Sequence, residues 1–421
     1  MRKTLADGIY LNLIPTKQFK TIRVVIRFIA PLERATATQR SLLASILEAN
    51  SADYPTQADL AAKLQEMYGA SFNIGAFKEG NAHILSVELN LVNDRYLHGE
   101  PHLLKTGIDF LRRILFHPHA LEGAFDATTF NRERDNMANY LRSIVDDKQS
   151  YAAIQLDKLY FDADSDQQVT GYGSLDDLAQ IDPASLWDYY QHLLAHDRIE
   201  ISVLGDIDEA EVVPDFAAFP LEARPLPDVK LFYQQPLVPD VQEQTKKQEI
   251  VQSKLDLAYQ IEDYFYGPHY YELLVTNGMF GGNPLSLLFA NVREKASLAY
   301  YASSNIDAFR GLMTVQCGID AQNKEQVLAI IKDQLHDLQT GHFAAALLQQ
   351  TQADLINHYN SALDSPRYLT SQAFYKTLVP EAVIDAHTFE KGILQVTAQQ
   401  VQERAQTIRL QAIYFLEGEA N

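Results

Sequence analysis

Residues Thr38 to Thr56 read TQRSLLASILEANSADYPT. Leu42, Leu43, Ile46 and Leu47 recur at helical spacing, while Ser41, Ala44, Ser45 and Glu48 share the opposite side, so the stretch predicts an amphipathic helix running into a Tyr54-Pro55 turn. Upstream, Ile9 to Ile14 and Thr21 to Ala30 read as strands, the second interleaving β-branched residues with Arg23 and Arg27. Downstream, Thr56 is the N-cap of a second helix that Gly69 stops. Ser71 to Phe77 and Ala82 to Val92 then pair as a hairpin across Lys-Glu-Gly-Asn. Helical periodicity follows over His102 to His119, Phe125 to Val145, Tyr151 to Phe161 and Pro183 to Ala195, the last capped by Asp182, before a strand at Ile199 to Gly205.

Five prolines between Phe219 and Val241 mark an extended linker. Beyond it the order repeats. A strand at Glu249 to Ile261 precedes helices at Pro268 to Met279 and Pro284 to Lys295 and a hairpin of Leu298 to Phe309 with Leu312 to Ile319. Helices at Lys324 to Leu338, Phe343 to Leu363, Ser365 to Leu378 and Ala398 to Ala405 lead to a closing strand, Gln411 to Leu416. A repeated order of this kind predicts an α+β protein of two homologous domains, each a largely antiparallel sheet covered by helices. The expected boundaries are 1–219, a linker at 220–241, and 242–421.

Composition narrows the function. The formal charge of −20 over 421 residues disfavours a nucleic-acid or anionic-membrane partner, which needs a basic footprint. Cys317 is the only cysteine, so a cysteine-based metal site and an intrachain disulfide are excluded. The N-terminus has no apolar core of a secretory signal and no segment is long and apolar enough to span a bilayer. The expectation is a soluble, cytoplasmic protein.

A second stretch is more specific. Gly281 to Ser304 reads GGNPLSLLFANVREKASLAYYASS. It resembles the GG-x-x-x-S-R-L-F-x-x-L-R-E-K-x-x-L-A-Y segment of insulinase/pitrilysin-type zinc peptidases at Gly281, Gly282, Ser286, Leu288, Phe289, Arg293, Glu294, Lys295, Leu298, Ala299 and Tyr300, with Leu287 in place of the usual arginine. The first stretch is similar to the helix on which that family carries H-x-x-E-H shortly before a Tyr-Pro turn. The resemblance implies the duplicated fold and a substrate-binding role for Arg293 and Tyr300, whose forked guanidinium and phenol donate to a peptide carbonyl and a developing oxyanion. Read from residue type alone, the favoured roles are pairing of Arg293 with a local carboxylate and packing of Tyr300 in a strand, and it is the resemblance that turns both toward substrate.

The resemblance also says what has changed. Alignment on Tyr54-Pro55 sets Ser41, Ala44 and Ser45 where His, Glu and His belong, and alignment on Asp146-Asp147 sets Tyr140 where the third ligand, a glutamate, belongs. Catalytic zinc needs three protein ligands and a base; neutral serine hydroxyls ligate it poorly and alanine is no base. No relocated motif replaces them. His192 and His196, and His98 and His102, stand four apart as on a helix face, and His117 and His119 form a local pair, but none has a glutamate at the required offset. Glu133 shares a helix face with Tyr140, yet one carboxylate holds no catalytic zinc. Gly171-Tyr172-Gly173 is too short for a phosphate loop and reads as a turn. The function implied is a non-catalytic, peptide-binding subunit without a metal or other cofactor, completing the active site of a zinc-bearing paralogue in a heterodimer. A purely structural subunit, or a stand-alone hydrolase with an unrecognised site, are the alternatives.

Overall fold

Strand alternation in TIRVVIRFIAP divides the central strand of the first sheet into two unlike faces. A computed structural model describes residues 1–99, 102–382 and 385–418. By contact they gather into two units, each built from three separate segments: unit 1 from Met1–Ser143, Val169–Leu231 and Ser365–Leu378, and unit 2 from Ile144–Gln168, Phe232–Asp364 and Val379–Asn421.

In unit 1, strands β1 (Arg2–Ala6), β2 (Ile9–Pro15), β3 (Thr21–Pro31), β4 (Ser71–Glu79), β5 (Ala82–Val92) and β8 (Arg198–Gly205) form a sheet in the order β1-β2-β8-β3-β5-β4, beside a small hairpin of β6 (Ala120–Leu121) and β7 (Ala124–Phe125). Ile22, Val24, Ile26 and Phe28 of β3 take the apolar face. Arg23 and Arg27 take the other and are also buried, because the helix Pro366–Leu378 lies over them. There Arg23 bonds Glu88 at 2.6 Å, Asn90 at 2.9 Å and Thr370 at 3.3 Å, and the Arg27 guanidinium sits 4.3 Å from the centre of the Phe374 ring. Desolvation lowers the Arg27 pKa to about 10, against the pull of Glu88.

In unit 2, β9 (Gln242–Gln248), β10 (Ser253–Gln260), β11 (Ala299–Asp307), β12 (Leu312–Ile319) and β13 (Arg409–Gly418) pair as β11-β12-β10-β13-β9. The pattern repeats that of unit 1: an edge hairpin, a central strand, the closing strand antiparallel to it, and one parallel neighbour, β2 to β8 in unit 1 and β9 to β13 in unit 2. The duplicated α+β architecture is therefore present.

The helices that bear on the site are α1 (Arg34–Ala49), α2 (Gln57–Glu66), α3 (Leu103–Phe116), α4 (Ala127–Ser143) and α5 (Lys148–Tyr160). Thr56 caps α2 in a reciprocal box with Asp59. Asp147 caps α5, accepting from the Gln149 and Ser150 amides, and α5 belongs to unit 2, where it lies against Ala258, Leu312, Ala412 and Leu416.

Several readings are corrected. Residues 249–252 are not strand: the chain bends there with Val251 98% exposed, and β10 begins at Ser253. Gln242–Gln248, wholly polar, is a solvent-exposed edge strand that carries no alternation to betray it. The helices expected to either side of Gly281-Gly282 widen into π-turns at Gly278–Gly282 and Phe289–Lys295. A Cβ on Gly281 would lie 2.7 Å from the Ser304 amide nitrogen, so only glycine lets this turn approach β11.

Candidate functional site

Arg40 fixes α1 against the sheet. Its side chain is buried, donates to the Phe28 carbonyl at 3.2 Å and pairs with Asp197 at 2.7 Å. Leu42, Leu43, Ile46 and Leu47 then face the core, which turns Ser41, Ala44, Ser45 and Glu48 toward β4 and α4.

The structure brings Ser41, Ala44, Ser45 and Tyr140 together. They line one cavity of about 300 Å³ with Glu133, Asn136 and Met137 of α4, Ile74, Gly75 and Ala76 of β4, and Tyr172. β4 is the last strand of its sheet, so the cavity lies beside a sheet edge, where the Ile74 amide meets the Glu48 carboxyl. Tyr140 is half exposed and meets the Tyr172 ring edge to face at 5.4 Å.

The polar groups are strongly oriented. Ser41 Oγ donates to the Gly171 carbonyl at 2.8 Å, and Ser45 Oγ donates back to the Ser41 carbonyl at 3.4 Å. Glu133 takes Arg132 Nε on one oxygen at 2.6 Å and Asn136 Nδ2 on the other at 3.1 Å. Burial, and then the charge of Glu133, raise the pKa of the Glu48 carboxyl against the pull of the Ile74 backbone amide.

Gly171 and Gly173 belong to the loop over this cavity. A Cβ on Gly173, at φ +79°, would lie 2.6 Å from Thr38 Cα, and Thr38 Oγ1 accepts from the Ser174 amide at 3.1 Å. His83 Nε2 lies 2.9 Å from the same Gly171 carbonyl that Ser41 holds. Burial and then Arg40 lower the His83 pKa to about 3, so the ring is neutral and donates through Nε2. The loop is thus clamped at the Gly171 carbonyl by Ser41 and His83 together.

The donors present do not fit zinc. Two neutral hydroxyls whose protons are already engaged, a methyl group and a phenol offer no imidazole or anionic ligand, and the one carboxylate of the lining, Glu133, is held by Arg132 and Asn136. Among the described residues no three His, Cys, Asp or Glu side chains converge elsewhere to hold an ion. The other histidines are occupied differently. His192 and His196 stack at 4.1 Å, His117 meets Asp53 at 3.1 Å, and His119 lies 3.4 Å from Asn50 Nδ2. His98 and His102 do not share a helix face: His102 has left-handed backbone (φ +47°) just before α3 begins.

Arg293 and Tyr300 lie in unit 2. β11 and β12 skip register between Ala299 and Tyr301, making Tyr300 the extra residue of a β-bulge, and its side chain is 66% exposed. Arg293, in the π-turn before the strand, lies 4.7 Å from the centre of the Phe289 ring and 3.9 Å from Glu294. Among the described residues neither side chain holds a hydrogen bond.

Sequence reading missed His83, Asn136, Met137 and Tyr172. Asn136 and Met137 follow Glu133 by three and four residues on the face that carries Tyr140, so helical spacing was signal enough for those two. His83 and Tyr172 reach the site through long-range contacts with no local pattern.

The profile of the peptidase M16 inactive domain matches residues 180–355. "Probable inactive metalloprotease YmfF" of Bacillus subtilis (strain 168) is 31% identical over 418 residues, spanning 99% of this chain and 97% of its own. "Uncharacterized zinc protease YmxG" of the same organism is 24% identical over 268 residues, 61% of each chain. The crystal structure of a conserved protein from Enterococcus faecalis V583 is 44% identical, covers 100% of this chain and 99% of its own, and superposes with a TM-score of 0.96. With its duplicated α+β fold and a relative of this identity over nearly its whole length, the chain belongs to the M16 family of insulinase/pitrilysin-type peptidases, as a zincless member.

Proposed function

We propose that this chain is the peptide-binding, non-catalytic subunit of a heterodimeric peptidase whose other subunit carries zinc. The observation that carries the reading is the bulge at Tyr300. Its phenol is held out in solvent, and Arg293, seven residues earlier in the chain, is half exposed, so neither is consumed by the fold. A bulge commonly re-aims a side chain for function, and phenol and guanidinium are the donors a polarised peptide carbonyl requires. The open edge of β4 beside the cavity supplies a second element, a strand on which an extended peptide adds by backbone hydrogen bonds. Bacillus subtilis encodes both a relative named as an inactive metalloprotease and one named as a zinc protease, which supports pairing between paralogues. We assign the cytoplasm as its compartment, which the single buried thiol of Cys317 suits.

The test is reconstitution. The purified chain alone is expected to cleave no peptide, and cleavage is expected to appear when the zinc-bearing paralogue from the same genome is added. Tyr300→Phe or Arg293→Ala should then lower kcat/KM by roughly tenfold to a hundredfold, the usual scale for removing one oxyanion donor. The contact of Arg293 with Phe289 favours the structural alternative, under which both variants leave the rate unchanged while the complex still forms.

A further inference from the structure

The cavity of unit 1 is not filled by its own side chains, and acceptors predominate in its polar lining, with the phenol hydroxyls as its side-chain donors. Ser41 Oγ and Ser45 Oγ direct their protons away, to the Gly171 and Ser41 carbonyls, and so turn lone pairs inward. Asn136 donates its amide N–H to Glu133, leaving its carbonyl oxygen as an acceptor. Glu133, nine-tenths buried, accepts from the Arg132 guanidinium at 2.6 Å on one oxygen and from Asn136 on the other, and the remaining lone pairs of the two oxygens are its acceptors for an entering cation. Two aromatic rings, Tyr140 and Tyr172, complete the wall, and no basic side chain lines it. A pocket of acceptors, one carboxylate and π-faces is complementary to a positively charged donor, which among peptide side chains means the ammonium of lysine or the guanidinium of arginine. Its negative character is already expressed in the Glu48 carboxyl, whose proton is held more tightly in part because Glu133 stands near.

We propose that this cavity binds the cationic head of a lysine or arginine side chain of a peptide laid along β4. An organic cation then occupies the place from which the metal ion was lost. Entry beside the β4 edge lets the backbone pair with the strand while one side chain, pointing to the cavity face, enters between Tyr140 and Glu133. The inference rests on the peptide-binding reading and adds the chemical identity of one recognised side chain.

The probe is a fluorescein-labelled ten-residue peptide of alternating alanine and threonine with one central arginine, compared with the same peptide carrying citrulline, its neutral isostere. The expectation from anisotropy titration of the full chain is at least about tenfold tighter binding of the arginine peptide, the scale of one desolvated charge-assisted contact. Glu133→Gln should erase that preference while leaving citrulline binding unchanged. Ser45→Lys, which places an ammonium inside the cavity, should block the arginine peptide even if Glu133→Gln fails to fold. Equal binding of both peptides by the native chain overturns the cation pocket and leaves peptide binding standing. Binding of neither overturns both readings.

Discussion

Asp256→Asn should make unit 2 more resistant to opening at alkaline pH and change little in acid. Asp256 is fully buried in β10, where Gln149 Nε2 of α5 meets its two oxygens at 3.2 and 3.1 Å and Gln316 Nε2 approaches at 3.4 Å. Burial is the largest influence, and against the pull of these amides and Lys254 it raises the carboxyl from 3.8 to about 7. The native state therefore holds this proton more tightly than the unfolded chain does. Its contribution is fully present below about pH 4 and is lost as pH rises through about 7. Three units at 1.36 kcal/mol each set an upper bound of about 4 kcal/mol, or roughly a thousandfold in an opening equilibrium. Asparagine stays neutral at every pH, and a flip of the Gln149 amide supplies the acceptor its N–H needs.

Cys317 gives the assay. It is the only cysteine, it is buried, and its neighbours in β10 are the strand that holds Asp256. Its rate of labelling by a thiol reagent reports opening of unit 2, whereas the only tryptophan, Trp187, lies in unit 1. Comparing native and variant chains at the same pH cancels the reactivity of the thiol itself. It also cancels His83, whose lowered pKa acts in the opposite sense, adding stability as pH rises from about 3 to about 6.5. The variant should label between about tenfold and a thousandfold more slowly near pH 9, and at a similar rate near pH 4. A rate ratio that does not move with pH refutes the reasoning.

Restoring ligands tests the cavity directly. Ser41→His, Ala44→Glu, Ser45→His and Tyr140→Glu together should bring the chain close to one zinc per molecule by atomic absorption, whereas the native chain should retain none after dialysis; the first change also frees the Gly171 carbonyl, which His83 still holds. Arg40→Leu leaves Asp197 buried without its partner and should cost about 3–5 kcal/mol in urea denaturation followed by Trp187 fluorescence, with Asp197→Asn added to it restoring part of the loss.

The local grammar of the chain was legible. Leu42, Leu43, Ile46 and Leu47 announced the buried face of α1, and Thr56 and Asp182 cap the helices they precede. Ser41, Ala44, Ser45 and Tyr140, singled out by the resemblance, share one cavity. What the chain hid was everything settled by distant partners. Arg23 and Arg27 look like a wet strand face until Phe374 and Thr370 arrive from more than three hundred residues away. Asp256 in a strand reads as exposed until α5 covers it. Ser41 shows an absent histidine but not the Gly171 carbonyl that now uses it.

The exchange of helices carries a consequence for the growing chain. Unit 1 is closed by Ser365–Leu378, so on the ribosome its sheet must wait for nearly the whole polypeptide before that helix exists. An apolar sheet face left open for so long would recruit other nascent chains. The waiting face sets Arg23, Arg27, Glu88 and Glu200 among its apolar residues Ile29 and Ile84, and water solvates those charged groups well until their cover is made.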